Sequence, residues 1–178
     1  PTISTAYARL LFDYLRALGR NPASILPAAQ VAEIETNHSH AQTSRTAWLE
    51  MIASITAQSD DPNLALKIGE AFQVRHLGVA GYVLISCATL GEAGQQVVRY
   101  YRLMGDVGSS QVHRRGEWAE DIFQWTEAGL PPPVLEQLWA AATVTLGRWL
   151  TGCNDLAWEA HFRFPRPSDI SAYERIFQ

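Results

Sequence analysis

The chain has 178 residues, enough for one domain that buries most of its unfolded surface without disulfide or metal staples. Its 47% hydrophobic and 18% charged residues exclude a disordered chain, which combines few apolar residues with strong net charge. The formal net charge of −4 argues against direct contact with nucleic acid, whose binders carry a basic surface.

In chain order, Ser4 is placed to cap a helix on which Ala6, Leu10, Leu11, Tyr14, Leu15 and Leu18 recur at helical spacing, and Gly19 ends it. Asn21-Pro22 opens a second, short helix with Ile25, Leu26 and Ala29 on its apolar side. Val31–Thr43 reads as a polar loop carrying His38 and His40. Ser44 is the expected cap of a third helix that turns Trp48, Leu49, Ile52 and Ile55 inward. Asp61-Pro62 repeats the cap-then-proline device ahead of a fourth helix with Leu64, Leu66, Ile68 and Phe72.

Leu77–Ala88 is small and apolar, and periodicity alone leaves helix and strand both open. Helix is favoured, because Thr89 and Glu92 form a capping box for the next one. That next helix reaches about Leu103, with Val97, Val98 and Tyr101 inward and Arg99 and Arg102 outward. Ser110–Arg114 and Trp118–Trp125 flank Arg115-Gly116-Glu117, which predicts a hairpin. Gly129-Leu130-Pro131-Pro132-Pro133 is a rigid loop leading into a helix over Val134–Leu150 that Gly152 ends. Trp158, Ala160, Phe162 and Phe164 alternate with Glu159, His161 and Arg163, which predicts a strand. Ser168 then caps a last helix through Phe177. The fold class expected is α+β: a helical N-terminal half, then a small antiparallel sheet packed by helices.

Chemistry-bearing motifs are scarce. His38 and His40 lack the further ligands a zinc site needs, so no metal and no cofactor is expected. Gly78-Val79-Ala80-Gly81 lacks the lysine of a phosphate loop and reads as a close-packing device. There is no nucleophile elbow, and Cys87 in its apolar stretch reads as a small buried hydrophobe. Asp60-Asp61 and Glu120-Asp121 read as a helix cap and a solvated strand or turn. No enzymatic activity is expected.

A helix-turn-helix reading of residues 79–102 is an alternative. It is disfavoured by the acidic chain and by a first helix without a polar face. Two cysteines make no disulfide framework, which points to a reducing, cytoplasmic compartment. No apolar run approaches a membrane span, and Pro1–Gly19 lacks the make-up of a signal peptide. Five of the tryptophans, Trp118, Trp125, Trp139, Trp149 and Trp158, fall in the second half and are expected mostly in the core. The candidates for a ligand pocket are Trp118 and Trp125 as apolar walls with His161 and Arg163 as polar groups. The competing reading makes His161 and Arg163 a wet sheet face.

Three stretches carry a resemblance. They are Leu10–Leu26 (LLFDYLRALGRNPASIL), Asp61–Tyr101 with its DPNLALKIGE, LGVAGYVLISCATLGEA and VVRYY segments, and Ala160–Phe177 (AHFRFPRPSDISAYERIF). Together they resemble the N-terminal effector-binding domain of AraC-type bacterial transcription regulators, in the branch labelled arabinose-binding. The resemblance implies a domain that binds a small-molecule effector, often forms a homodimer, and leaves DNA binding to a C-terminal helix-turn-helix domain. The chain has no initiator Met and ends soon after Phe177, so residues 1–178 are expected to be a single, truncated regulatory domain. A ligand-free dimerisation module, with contacts around Tyr100, Leu103 and Met104, is the other reading.

Overall fold

The structure, a computed structural model, describes residues 1–36, 41–125 and 132–177. Strand β1 (Thr2–Ser4) runs into helix α1 (Thr5–Ala17), whose first turn is capped by Ser4 Oγ accepting from Tyr7 N at 3.1 Å. Helix α1 is the centre of the core: Leu10, Leu11, Phe12 and Leu15 are fully buried. Asn21 caps a 3₁₀ turn at Pro22–Ser24. The expected polar loop is instead helix α2 (Ala28–Thr36) up to Thr36, with Val31 and Ile34 buried against the core. The apolar pair at i, i+3 sits among glutamates and a threonine, which masks its periodicity in the sequence. His38 and His40 lie outside the described residues.

Strand β2 (Gln42–Ser44) pairs antiparallel with β1, Thr2 opposite Ser44. Helix α3 (Arg45–Thr56) follows, buries Trp48, Met51, Ile52 and Ile55, and uses Ser44 as N-cap without a side-chain bond. Asp61 Oδ1 accepts from Asn63 N at 2.9 Å at the start of helix α4 (Leu64–Glu70). A 3₁₀ turn at Val74–Leu77 leads into α5 (Val79–Ile85), so the ambiguous apolar stretch is helical. This helix is not buried on all sides: Val79, Tyr82 and Ile85 are exposed.

Helix α6 (Leu90–Met104) starts at Thr89, whose Oγ1 accepts from Glu92 N at 3.1 Å, while Glu92 Oε2 accepts from Ala88 N. Tyr101 and Met104 are buried, whereas Val98, expected inward, is exposed. The helix ends on β1, where Asp106 N donates to Thr2 O at 2.8 Å. Strands β3 (Gly108–Arg115) and β4 (Trp118–Trp125) form the expected hairpin, with Gly116 at φ +63° in its turn.

Helix α7 (Pro133–Thr151) ends at Gly152 in the left-handed conformation. It packs tightly on α4 through Gly69, where an added Cβ would lie 2.6 Å from both Ala141 Cβ and Leu138 O. The sequence 126–131 before α7, including Gly129, Leu130 and Pro131, lies outside the described residues.

The predicted strand at Trp158–Phe164 is not one. The alternation holds, with Trp158, Ala160, Phe162 and Phe164 half-buried and their neighbours exposed, but among the described residues no strand pairs with this segment. Period-two alternation reports an extended chain lying on a surface; a strand needs a ladder partner as well. Here Arg163 N and Nε donate to the Glu136 carboxylate at 3.1 and 3.0 Å, tying the segment to α7. The last helix, α8 (Ser171–Ile176), begins three residues after the expected cap at Ser168, because Asp169 Oδ1 accepts from Ser171 N. Among the described residues the result is a helical body with two two-stranded antiparallel sheets, an α+β fold.

Candidate functional site

Helices α6 and α7 and the β3–β4 hairpin line a half-open cavity of about 250 Å³. Leu90, Ala93 and Val97 come from α6; Trp139, Ala142, Thr143, Leu146 and Leu150 come from α7. The hairpin adds Val112, Ala119 and Asp121, and Tyr7, Phe72, Leu77 and Met104 reach it from the core. Trp158 completes the lining by lying across Gly147. A Cβ at Gly147 would stand 2.5 Å from Trp158 Cζ2, so the missing side chain makes room for the indole. Gly94 also lines the cavity, but a Cβ there would make only ordinary contact with Val112, at 3.8 Å.

Strand register decides what the hairpin contributes. Residues directly opposite share a face, so Asp121 stands with Val112, and Ala119, Phe123 and Trp125 follow on the same side of β4. Phe123 packs on Tyr101 and Trp139 with ring centroids 5.5 and 4.8 Å apart, which docks this face against α6 and α7. Asp121 therefore lies on the cavity side of β4, where it stays exposed, so the solvated strand expected at Glu120-Asp121 holds for it. Glu120 takes the outer face and pairs with Arg115 at 2.6 Å.

Asp121 keeps an open face toward the cavity it lines, yet the protein crowds its carboxyl, and this burial pushes its pKa up. Ser110 Oγ donates to Asp121 Oδ1 and offsets part of that push. Burial also raises the Tyr101 hydroxyl, with Tyr7 and Asp121 close enough to add to the effect. Neither the Tyr101 hydroxyl nor the Trp158 indole N–H, both shielded from solvent, has a partner among the described residues. An apolar chamber with a carboxylate and a few polar atoms at its edge has the composition of a small-ligand site.

The four sequence candidates are not brought together. Trp118 is at the tip of the hairpin, 54% exposed on its outer face. Trp125, at the other end of β4, packs edge-on against Phe123 and borders a smaller cavity of about 20 Å³ beside Tyr7 and Tyr101. His161 is exposed and meets Glu159 at 2.8 Å, and Arg163 is held by Glu136. Of the tryptophans expected in the core, Trp149 is exposed and Trp139 and Trp158 line the main cavity. Met104, expected at a dimer contact, is buried and lines the cavity, while Leu103 beside it is exposed. Asp121 was legible as an acid in the inward phase of a strand whose other inward residues are Ala119, Phe123 and Trp125.

A second polar cluster braces the chamber from behind. His76 is buried; its Nδ1 accepts from Gln73 N at 2.9 Å, so its Nε2–H points at Asp13 Oδ2, also 2.9 Å away. Burial holds His76 below its ordinary pKa despite Asp13. Burial works to raise Asp13, but hydrogen bonds from His76 and Arg75 outweigh it and leave its carboxyl below the usual range. Phe72 and Leu77, which flank this turn, reach the cavity. Among the described residues no three His, Cys, Asp or Glu side chains converge as a metal site would require. No helix among them is long and apolar enough to cross a membrane.

The chain is 29% identical over 103 residues to the ornithine utilization regulator of Pseudomonas aeruginosa, an alignment covering 58% of this chain and 30% of that protein. The family described as the arabinose-binding domain of AraC transcription regulators, N-terminal, matches residues 19–178. The chain therefore belongs to the N-terminal, ligand-sensing regulatory domains of AraC-type transcription regulators.

Proposed function

We propose that this domain senses its effector in the cavity between α6, α7 and the β3–β4 hairpin. The observation that carries the reading is the chamber itself: about 250 Å³, walled by apolar side chains, with Asp121 as its carboxylate. That volume lies just below the usual range for ligand pockets, ~300–1,000 Å³, and suits a small metabolite. The name of the Pseudomonas relative ties that protein to ornithine utilization, in keeping with an effector of metabolite size.

Sensing requires two states that the effector binds unequally. Helix α6 is the natural transmitter: its Ala93–Val97 face lines the cavity and its C-terminal end is bonded to β1. A ligand that fills the chamber and shifts α6 acts on β1 at the same time. DNA contact belongs, on this reading, to another part of a cytoplasmic, non-enzymatic parent regulator, and the acidic sensing domain forms a homodimer. The exposed Val79, Tyr82 and Ile85 on α5 favour such a contact. Light scattering tests the dimer, and a monomeric mass at micromolar concentration removes it.

Isothermal calorimetry of the chain against a metabolite panel tests the site. A binder at sub-millimolar affinity that Leu146→Trp abolishes is expected. Absence of any binder up to millimolar concentration refutes the sensing role of this cavity.

A further inference from the structure

Asp121 is the group that an apolar cavity alone does not explain. It has Ser110 as its hydrogen-bond partner and no cationic side chain beside it among the described residues. Arg114, whose opposite number Ala119 is on the same face, turns its Nε to Gly116 O instead. Asp121 is exposed yet lines an apolar cavity, so it presents its carboxylate to whatever enters there. The rings of Tyr7, Phe72, Trp139 and Trp158 line the same chamber. Aromatic faces attract cations through their quadrupole, and desolvation in a chamber strengthens that attraction. One carboxylate among several aromatic rings is the composition that recognises a cation.

We propose that Asp121 sets the effector class: the cavity takes a small molecule with one protonated nitrogen on an apolar body, and Asp121 holds the nitrogen. Neutral aliphatic compounds of the same shape bind more weakly, because they leave the carboxylate without its counter-ion. Anionic compounds are excluded by like charge. This inference rests on the cavity being the effector site.

The experiment uses the full chain and three probes of matched shape: pentylammonium, pentanol and pentanoate, followed by tryptophan fluorescence and calorimetry. Pentylammonium is expected to bind at least tenfold more tightly than pentanol, and pentanoate most weakly. Asp121→Asn, checked for an unchanged circular dichroism spectrum, brings the first two within about twofold while leaving pentanol unaffected. Gly94→Leu, which fills the space beside Val112, weakens all three. If pentanol matches pentylammonium and Gly94→Leu blocks both, the cavity reading stands and the cation inference falls. If the ammonium preference survives in Asp121→Asn, the inference falls as well. If no probe binds, or Gly94→Leu changes nothing, both fall together.

Discussion

Replacing Asp13 by Ala isolates the polar brace behind the cavity. The His76 side chain is only 2% exposed and its Nε2–H has Asp13 Oδ2 as acceptor, with Nδ1 already committed to Gln73 N. Leaving that buried N–H without an acceptor costs about 1–3 kcal/mol. The Arg75–Asp13 pair, with Arg75 60% exposed, adds no more than ~0.5 kcal/mol. A loss of about 2 kcal/mol lowers the melting midpoint of a domain this size by roughly 4–8 °C. The pH dependence is the sharper signature. His76 titrates below its ordinary 6.5 in the folded state, so on acidification the unfolded chain takes up the proton first and stability falls from about pH 6.5 downward. Asp13 resists that fall by favouring the protonated imidazole. Without it the folded pKa of His76 drops further, and the penalty of Asp13→Ala widens between pH 7 and pH 5. It narrows again only below pH 3.8, where Asp13 itself is lost as a partner on passing through its lowered folded pKa. Urea unfolding of both proteins at several pH values measures this. A penalty under about 0.5 kcal/mol that is flat between pH 7 and 5 refutes the brace.

Gly69→Ala places a methyl 2.6 Å from the Leu138 carbonyl oxygen, forcing α4 and α7 apart; ~1–3 kcal/mol of stability is lost in chemical denaturation. Thr89→Ala removes the oxygen that caps α6 and lowers stability by about 1 kcal/mol, with the fastest amide exchange in that helix's first turn. Asp121→Asn stabilises the ligand-free chain at neutral pH. The folded pKa of Asp121 lies above 3.8, so its contribution is lost as pH rises through that value, and the gain from Asn appears over the same window. Thermal melts at pH 4 and 7 check this; an equal effect at both counts against a charge origin.

Much of the scaffold is written in local chemistry. Ser4 and Thr89 each cap a helix through one side-chain oxygen, and Gly116 and Gly152 supply positive φ where the chain turns. Such signals act within four residues, so a sequence displays them. What it conceals is pairing at a distance. Strands β1 and β2 have three residues each and exist because Thr2 meets Ser44 across α1. Trp158–Phe164 shows the alternation of a strand but finds Glu136 rather than a ladder. The site divides along the same line. The phase of β4 already puts Asp121 among inward apolar residues. Nothing local says that Gly147, eleven residues before Trp158, leaves space for that indole.

The position of Asp121 also bears on why the cavity exists. The core around α1 is filled: Leu10, Leu11, Phe12, Leu15, Met51 and Ile68 are almost wholly buried. The void opens beside it, where α6, α7, the hairpin and Trp158 meet, and glycines at 94 and 147 help form its lining. An apolar void of this size weakens a fold, since its lining lacks packing partners on one side. Beside it Asp121 is exposed, with Ser110 as hydrogen-bond partner and no cation among the described residues. Both features concentrate at one place while the helical body is well packed, which is the distribution expected when stability is given up for binding. A ligand that supplies both the missing packing and the missing counter-charge then stabilises the occupied state most strongly. The coupling between occupancy and the position of α6 thus has an energetic source in the same residues that line the chamber.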